Sequence, residues 1–460
     1  MATSATKRSW NMGVELLRRS KGEMDEKRTR LRGPWHPRTF QMRTSSSSEF
    51  VRRFALSHKL EYHGGCVNTL HFNETGTLLA SGSDDLKIVL WDWMANKAKI
   101  AIPTDHRSNV FQAKFMPSCC DNIIVSAARD GQIFKTSLCY DGSVREKKNV
   151  ASHRGAAHKL GLIGGNPHVF LSCGEDAVVF SVDLREDEPH KLLTVKESND
   201  SGRAQKIALY TIFCDPSNPN LFATAGRDQY ARIYDRRKIE EDVEPVVKFC
   251  PPSFKESDRH ENITCLVYSN NGNELLCSYN DEDIYLFDTR HSSGAEPIKT
   301  YAGHRNSATV KGVNFYGPSS EYIVSGSDCG HVFLWDKETE KVIQFLEGDI
   351  GGVVNCLEPH PFGAFLATSG LDHDVKIWMP TAQTPTDLDG LEECIDKNIA
   401  DREAERQIPH YPYPIHQQIL QMLMRSGVLR RGDDGSSDTS EDEDNDDNDD
   451  DDEHVVCRQS

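Results

Sequence analysis

The sequence has no apolar run long enough to cross a bilayer, which takes about 20 consecutive apolar residues. No secretory pattern opens it. It contains no phosphate-cradling GxxxxGKS/T, no HExxH and no GxSxG. The usual phosphate loop, zinc-protease helix and nucleophile elbow are therefore excluded. Its thirteen cysteines are scattered without CxxC spacing, so no local metal knuckle or dithiol redox motif is written in the chain. No catalytic residue, metal or cofactor is expected. Nor do the basic residues form a long stripe, and the formal net charge is -18, so no nucleic-acid partner is expected. With no membrane segment and no disulfide framework, the thiols are expected to be reduced and the protein to divide between nucleus and cytoplasm.

What is present is a repeat. The stretch "SGSDDLKIVLWDW" (81–93) pairs Asp84 and Asp85 with Trp91 and Trp93, and it returns as "SGSDCGHVFLWD" (325–336) and "SGLDHDVKIW" (369–378). Looser copies are "AARDGQIFKTS", "CGEDAVVFSVD", "AGRDQYARIYD" and "SYNDEDIYLFD". Aligned on Asp84, Asp130, Asp176, Asp228, Asp281, Asp328 and Asp372, the seven copies step by 46, 46, 52, 53, 47 and 44 residues. A carboxylate pair copied around a chain is architecture rather than an acid–base site. Four of the copies end in Trp, Tyr or Phe followed by Asp. This period and signature predict one propeller blade of four short strands per repeat.

Five repeats carry an upstream histidine: His63, His106, His153, His260 and His304. They stand 21 to 24 residues before the aligned aspartates, and the fourth and seventh repeats lack one. Each is expected to hydrogen-bond a turn aspartate, since a buried imidazole needs a partner. Cysteines such as Cys66, Cys265, Cys277 and Cys356 fall in strand-like runs and read as small buried apolar residues.

The seven copies resemble WD repeats over about residues 57–380. The resemblance implies an all-β fold, a seven-bladed propeller closed by an N-terminal strand near residues 54–60. The expected organisation is a basic segment at 1–50, the propeller at 51–380, a helical extension at 381–432 and a disordered acidic tail at 433–460. Residues 14–32 could form a helix ended by Gly33-Pro34, and 388–407 another. Ile415, Ile419, Leu420, Leu423 and Met424 have helical spacing, as for a docking helix. Fourteen of the acidic residues lie in 433–453, where there is no Lys or Arg. Within that run Ser437, Thr439 and Ser440 precede acids and suit an acid-directed kinase.

Three consecutive third strands end in Asp-x-Arg: Asp183 and Arg185, Asp235 and Arg237, Asp288 and Arg290. Three neighbouring blades would set these arginines side by side on one face, where bidentate pairing with a partner's carboxylates is available. The motif resembles the Trp-Asp-x-Arg box of WD-repeat substrate receptors of cullin-4 RING ubiquitin ligases. Val182, Tyr234 and Phe287 stand where that group has Trp. Stretches such as "GCVNTLHFN", "YNDEDIYLF" and "ATVKGVNFYGP" resemble the subgroup of the eighth cullin-4-associated factor and its paralogues. The resemblance implies a non-catalytic receptor docked on the ligase's propeller-type adaptor. Through that adaptor it would meet cullin-4 and the RING subunit, and it would present a protein substrate not named by the sequence. The helix at 14–32 would assist docking. The alternative is a ligase-independent nuclear scaffold, or a histone or peptide reader using the acidic tail.

Overall fold

A computed structural model of the chain describes residues 42–198, 204–240, 243–255, 261–307, 309–349 and 352–407. Within them lie seven four-stranded antiparallel sheets and one two-stranded hairpin. Blade 1 comprises Val67–Phe72, Leu79–Ser83, Lys87–Asp92 and Lys97–Pro103. Blades 2 to 6 begin at Val110, Ala157, Leu209, Ile263 and Val313. Blade 7 takes Val354–Pro359, Leu366–Gly370 and Asp374–Met379 from one end of the ring and Ala55–Glu61 from the other. Ala55 faces Met379 and Glu61 faces Asp374, antiparallel. The N-terminal strand thus becomes the outer strand of blade 7, covers the edge that Asp374–Met379 would otherwise expose, and closes the ring.

Burial falls outward along each blade, which explains the residue types. Second strands such as Leu79–Ser83 and Tyr322–Gly326 are buried end to end. They use small residues because blades approach closely: a Cβ on Gly82 would lie 2.8 Å from Thr69 and 2.9 Å from Val110. Outer strands such as Val144–Ser152 are largely exposed, with only Val150 and Ala151 buried. In blades 1, 2, 3, 5 and 6 the turn between second and third strands holds one left-handed residue. Gly131 (φ 76°) and Gly330 (φ 80°) supply it without strain, whereas Leu86 (φ 61°) and Ala177 (φ 68°) carry a Cβ there.

In blades 1 to 3 a histidine ties this turn to the loop entering the blade. In blade 1 the Trp91 indole N–H donates to Ser81 Oγ (2.8 Å), which lies 2.7 Å from His63 Nε2. His63 Nδ1 reaches Asp85 at 3.0 Å, and the Gly64 N–H donates to the same carboxylate. His106 joins Ser126 and Asp130 in the same way, and His153 joins Ser172 and Asp176. Burial raises these three carboxyls. Hydrogen bonds from the histidine and neighbouring backbone N–H groups outweigh it, so all three sit below their usual range.

Two aligned positions are corrected by this register. Asp85, not Asp84, is the counterpart of Asp130 and Asp176; Asp84 is buried and accepts from the Asn68 amide instead. Counting six residues back from Trp335 places Cys329, not Asp328, at this position in blade 6. His304 therefore does not find the expected aspartate. Both its ring nitrogens are buried without a hydrogen bond, and the ring stands edge-on to Trp335 at 5.8 Å. His260 lies outside the described residues.

Blades 4 and 7, which lack the histidine, use a buried cation. Arg232 pairs with Asp228 and with Glu197, the latter carried by the hairpin of Lys196–Ser198 and Ala204–Lys206. Lys376 Nζ pairs with Asp349 (2.9 Å), Asp372 (2.9 Å) and Asp374 (2.5 Å). Both cations are 1% exposed. A charge that deep must be fully paired.

The chain after the ring forms a helix, Leu391–Gln407, close to the expected 388–407. Leu388, Leu391 and Ile395 pack on the core of blades 5 and 6, and Arg305, from the loop between them, pairs with Asp401 and Glu405. Arg402 and Arg406 pair with Asp283 and Glu282 in the turn between second and third strands of blade 5.

Candidate functional site

In every blade the first and third strands run the same way, so turns from first to second and from third to fourth strands open on one face. Turns from second to third strands open on the other. The helix Leu391–Gln407 sits on the second face, over blades 5 and 6. The Asp-x-Arg turns of blades 3, 4 and 5 sit on the first.

All three turns have one geometry. The aspartate ends the third strand and accepts the backbone N–H of the arginine two residues on, at 3.0, 3.0 and 2.9 Å for Asp183, Asp235 and Asp288. The arginine then folds back. Its Nε donates to the same oxygen and Nη2 to the other, at 2.9 and 2.6 Å in Asp183–Arg185 and 3.0 and 2.8 Å in Asp235–Arg237. Asp288–Arg290 repeats the fork. The carboxylates are largely covered, whereas the arginine side chains are 64%, 62% and 69% exposed. Hydrogen bonds from the arginine hold each aspartate below its usual range, Asp235 and Asp288 at about 2.

Each arginine thus pairs within its own turn. That pairing uses two of the five guanidinium N–H groups and leaves the outer edge to solvent. The internal fork fixes a long side chain that would otherwise lose rotamer freedom on binding, so the exposed edge is preorganised for an acceptor on a partner. Tyr234 and Phe287, at the Trp position of the motif, are buried as a Trp would be, and so is Val182. At the matching position blade 1 presents Met94, 61% exposed.

The closing strand starts on this same face, because Ala55 pairs with the last residue of blade 7's third strand. The segment before it crosses blades 6 and 7: Tyr322 Oη donates to the Ser46 carbonyl, and Gln344 Nε2 donates to those of Val51 and Phe54. The chain toward the N-terminus therefore leaves from the arginine side. The helix expected at 14–32, the docking positions Ile415 to Met424, and Ser437, Thr439 and Ser440 lie outside the described residues.

Spacing in the sequence concealed one cluster. Cys329 and His331, in the second turn of blade 6, meet Cys394 of the helix Leu391–Gln407, with one possible ligand atom from each lying within 4.8 Å of the others. Burial raises the Cys329 thiol, but hydrogen bonds from His331, Ser327 and Asn398 bring it down to about 7.

A profile of the WD domain, G-beta repeat, matches residues 54–92, 295–336 and 340–379. Over 286 residues, 59% of this chain, the sequence is 33% identical to DDB1- and CUL4-associated factor 6 of Homo sapiens and of Mus musculus. It is 32% identical over 59% of its length to Protein ALTERED SEED GERMINATION 2 of Arabidopsis thaliana, covering 40% of that protein. It is 21% identical over 87% of its length to human WD and tetratricopeptide repeats protein 1, covering 95% of it. The chain spans about a third (32%) of the length of the two factor 6 proteins. It is a seven-bladed WD-repeat propeller, homologous over part of its length to a CUL4-associated factor.

Proposed function

We propose that the chain is a non-catalytic substrate receptor of a cullin-4 RING ubiquitin ligase, of the subgroup of the eighth cullin-4-associated factor. The face carrying Asp183 and Arg185, Asp235 and Arg237, and Asp288 and Arg290 docks on the propeller-type adaptor, which links the receptor to cullin-4 and the RING subunit. A protein substrate is held elsewhere on the ring, in nucleus and cytoplasm alike. Transfer then needs no nucleophile from this chain: holding the target beside the charged conjugating enzyme raises its effective concentration there.

The observation that carries this reading is the threefold Asp–Arg fork on adjacent blades, with its arginines exposed. Turn architecture alone does not require it, since Asp92 and Asp336 close their turns without an arginine. Relatives whose names place them with DDB1 and CUL4 support it further. Arginine anchors carry a large share of interface energy. The Arg185→Ala/Arg237→Ala double variant should therefore recover adaptor at least about tenfold less well in pull-down. Its circular dichroism and melting temperature should match wild type, because the aspartates keep their backbone hydrogen bonds. Equal recovery by both proteins would move docking to another surface. No recovery by wild type would end the receptor reading.

A further inference from the structure

The second turn of blade 6 departs from its counterparts in a way the propeller does not need. Where blades 1, 2 and 3 set Asp85, Asp130 and Asp176 against a histidine, blade 6 sets Cys329. That thiol faces the helix Leu391–Gln407 instead. Its Sγ lies 3.6 Å from Cys394 Sγ, and His331 completes a set of three donors within 4.8 Å. The three side chains come from two elements far apart in sequence, and all are partly buried.

We propose that Cys329, His331 and Cys394 form a zinc site that staples the helix Leu391–Gln407 to blade 6. Two thiolates and an imidazole are a soft-to-borderline set that favours zinc over calcium or magnesium. Tetrahedral zinc with sulfurs at about 2.3 Å sets them about 3.8 Å apart, close to the separation found here. The surroundings are built as metal sites usually are. Asn398, one turn along the helix from Cys394, directs its amide at both sulfurs (3.6 and 3.8 Å) and donates to the Gly303 carbonyl at 2.9 Å. The His331 ring is stacked on Phe345, centroids 4.2 Å apart, and its Nδ1 lies 3.0 Å from the Cys329 carbonyl oxygen. Such outer contacts orient ligands and tune their affinity.

The staple also meets a need. The helix is held by a short apolar edge and by four partly covered ion pairs at the rim of the ring, with no disulfide or other covalent tie to blade 6 among the described residues. Zinc binding releases the two thiol protons and changes no oxidation state, so it requires no further reactant.

The test uses the full chain, without a polyhistidine tag, purified under reducing conditions, loaded with zinc chloride and dialysed. Elemental analysis should find one zinc per chain. Cobalt(II) in its place should give tetrahedral ligand-field bands and a thiolate charge-transfer band. Cys394→Ser should lose both, while Cys120→Ser, at an exposed cysteine outside the cluster, should keep them. Asn398→Ala, which removes no ligand, should weaken zinc affinity about tenfold or more. Chelation should expose the 380–390 connection to protease. Less than one zinc in the folded wild type, retention of zinc by Cys394→Ser, or a Cys329–Cys394 disulfide recovered without metal would each overturn the proposal.

Discussion

Replacing Lys376 with methionine should lower the stability of the ring by about 3–5 kcal/mol, the usual cost of leaving a buried charge without its partner. Lys376 is 1% exposed, and Asp349 beside it is wholly buried. Asp349 also accepts the Asp372 N–H, so it cannot turn away to solvent. Asp374 joins Lys376 to Lys59 of the closing strand at 2.9 Å, which places this network where the two ends of the ring meet. The loss should therefore show as a large fall in melting temperature and as early protease cleavage near residues 55–61. A second variant separates charge from packing. Adding Asp349→Asn removes the stranded charge while keeping its shape, and should recover part of the loss. The coupling measured by the double-mutant cycle should exceed about 1 kcal/mol. A Lys376→Met protein that melts within a degree or two of wild type would show that the carboxylates find protons or water at little cost.

The ring was legible in the sequence because its signal was repeated. Any single copy, such as "AARDGQIFKTS", is an ordinary strand. Seven in register fix blade number and the identity of the third strand. Closure at residues 55–61 was what the resemblance to WD repeats implied, and the helix at 391–407 lies within the stretch 388–407 expected to be helical. Local register was harder to read. Two adjacent aspartates at 84 and 85 offered two alignments; the contact with His63 selects Asp85, as does a count of six residues back from Trp91. The same slip hid Cys329.

The buried cations left a trace that could have been found. Four residues after the turn aspartate, blades 1 to 3 have Val89, Phe134 and Phe180, whereas the two repeats without histidine have Arg232 and Lys376. A cation at an apolar position, beside a missing histidine, is a compensation. The cluster of Cys329, His331 and Cys394 left no such trace, because it depends on where a helix lands after about 60 intervening residues (331–394). At the Asp-x-Arg turns the sequence placed the arginines on one face. It could not show that each is already forked onto its own aspartate, because that depends on the backbone path of a three-residue turn.

Acid should weaken the wild-type ring partly through His304, by about 2–3 kcal/mol between pH 7.5 and pH 4.5. Burial lowers its pKa from 6.5 to about 4; Asp283 and Asp328 pull it upward, Arg402 and Lys311 downward, and burial outweighs them. The folded imidazole stays neutral while the unfolded one takes a proton. Below about pH 6.5 the unfolded state therefore binds more protons, and stability falls until the folded ring also titrates near 4. The direction is opposite to that of a histidine held charged by a carboxylate. It follows from the missing aspartate, since no carboxylate accepts a hydrogen bond from the His304 ring and the charges of Asp283 and Asp328 do not offset its burial. Asp349 and Glu358 act the other way, because burial raises them to about 6 and about 7 and they gain as pH falls. They remain in the variant His304→Leu, so the difference between variant and wild type isolates His304. That difference, from urea unfolding at the two pH values, should shift toward the variant by about 2–3 kcal/mol at the lower pH. A difference that does not change with pH would mean that His304 meets water or an anion when charged, and that its burial is not what holds it neutral.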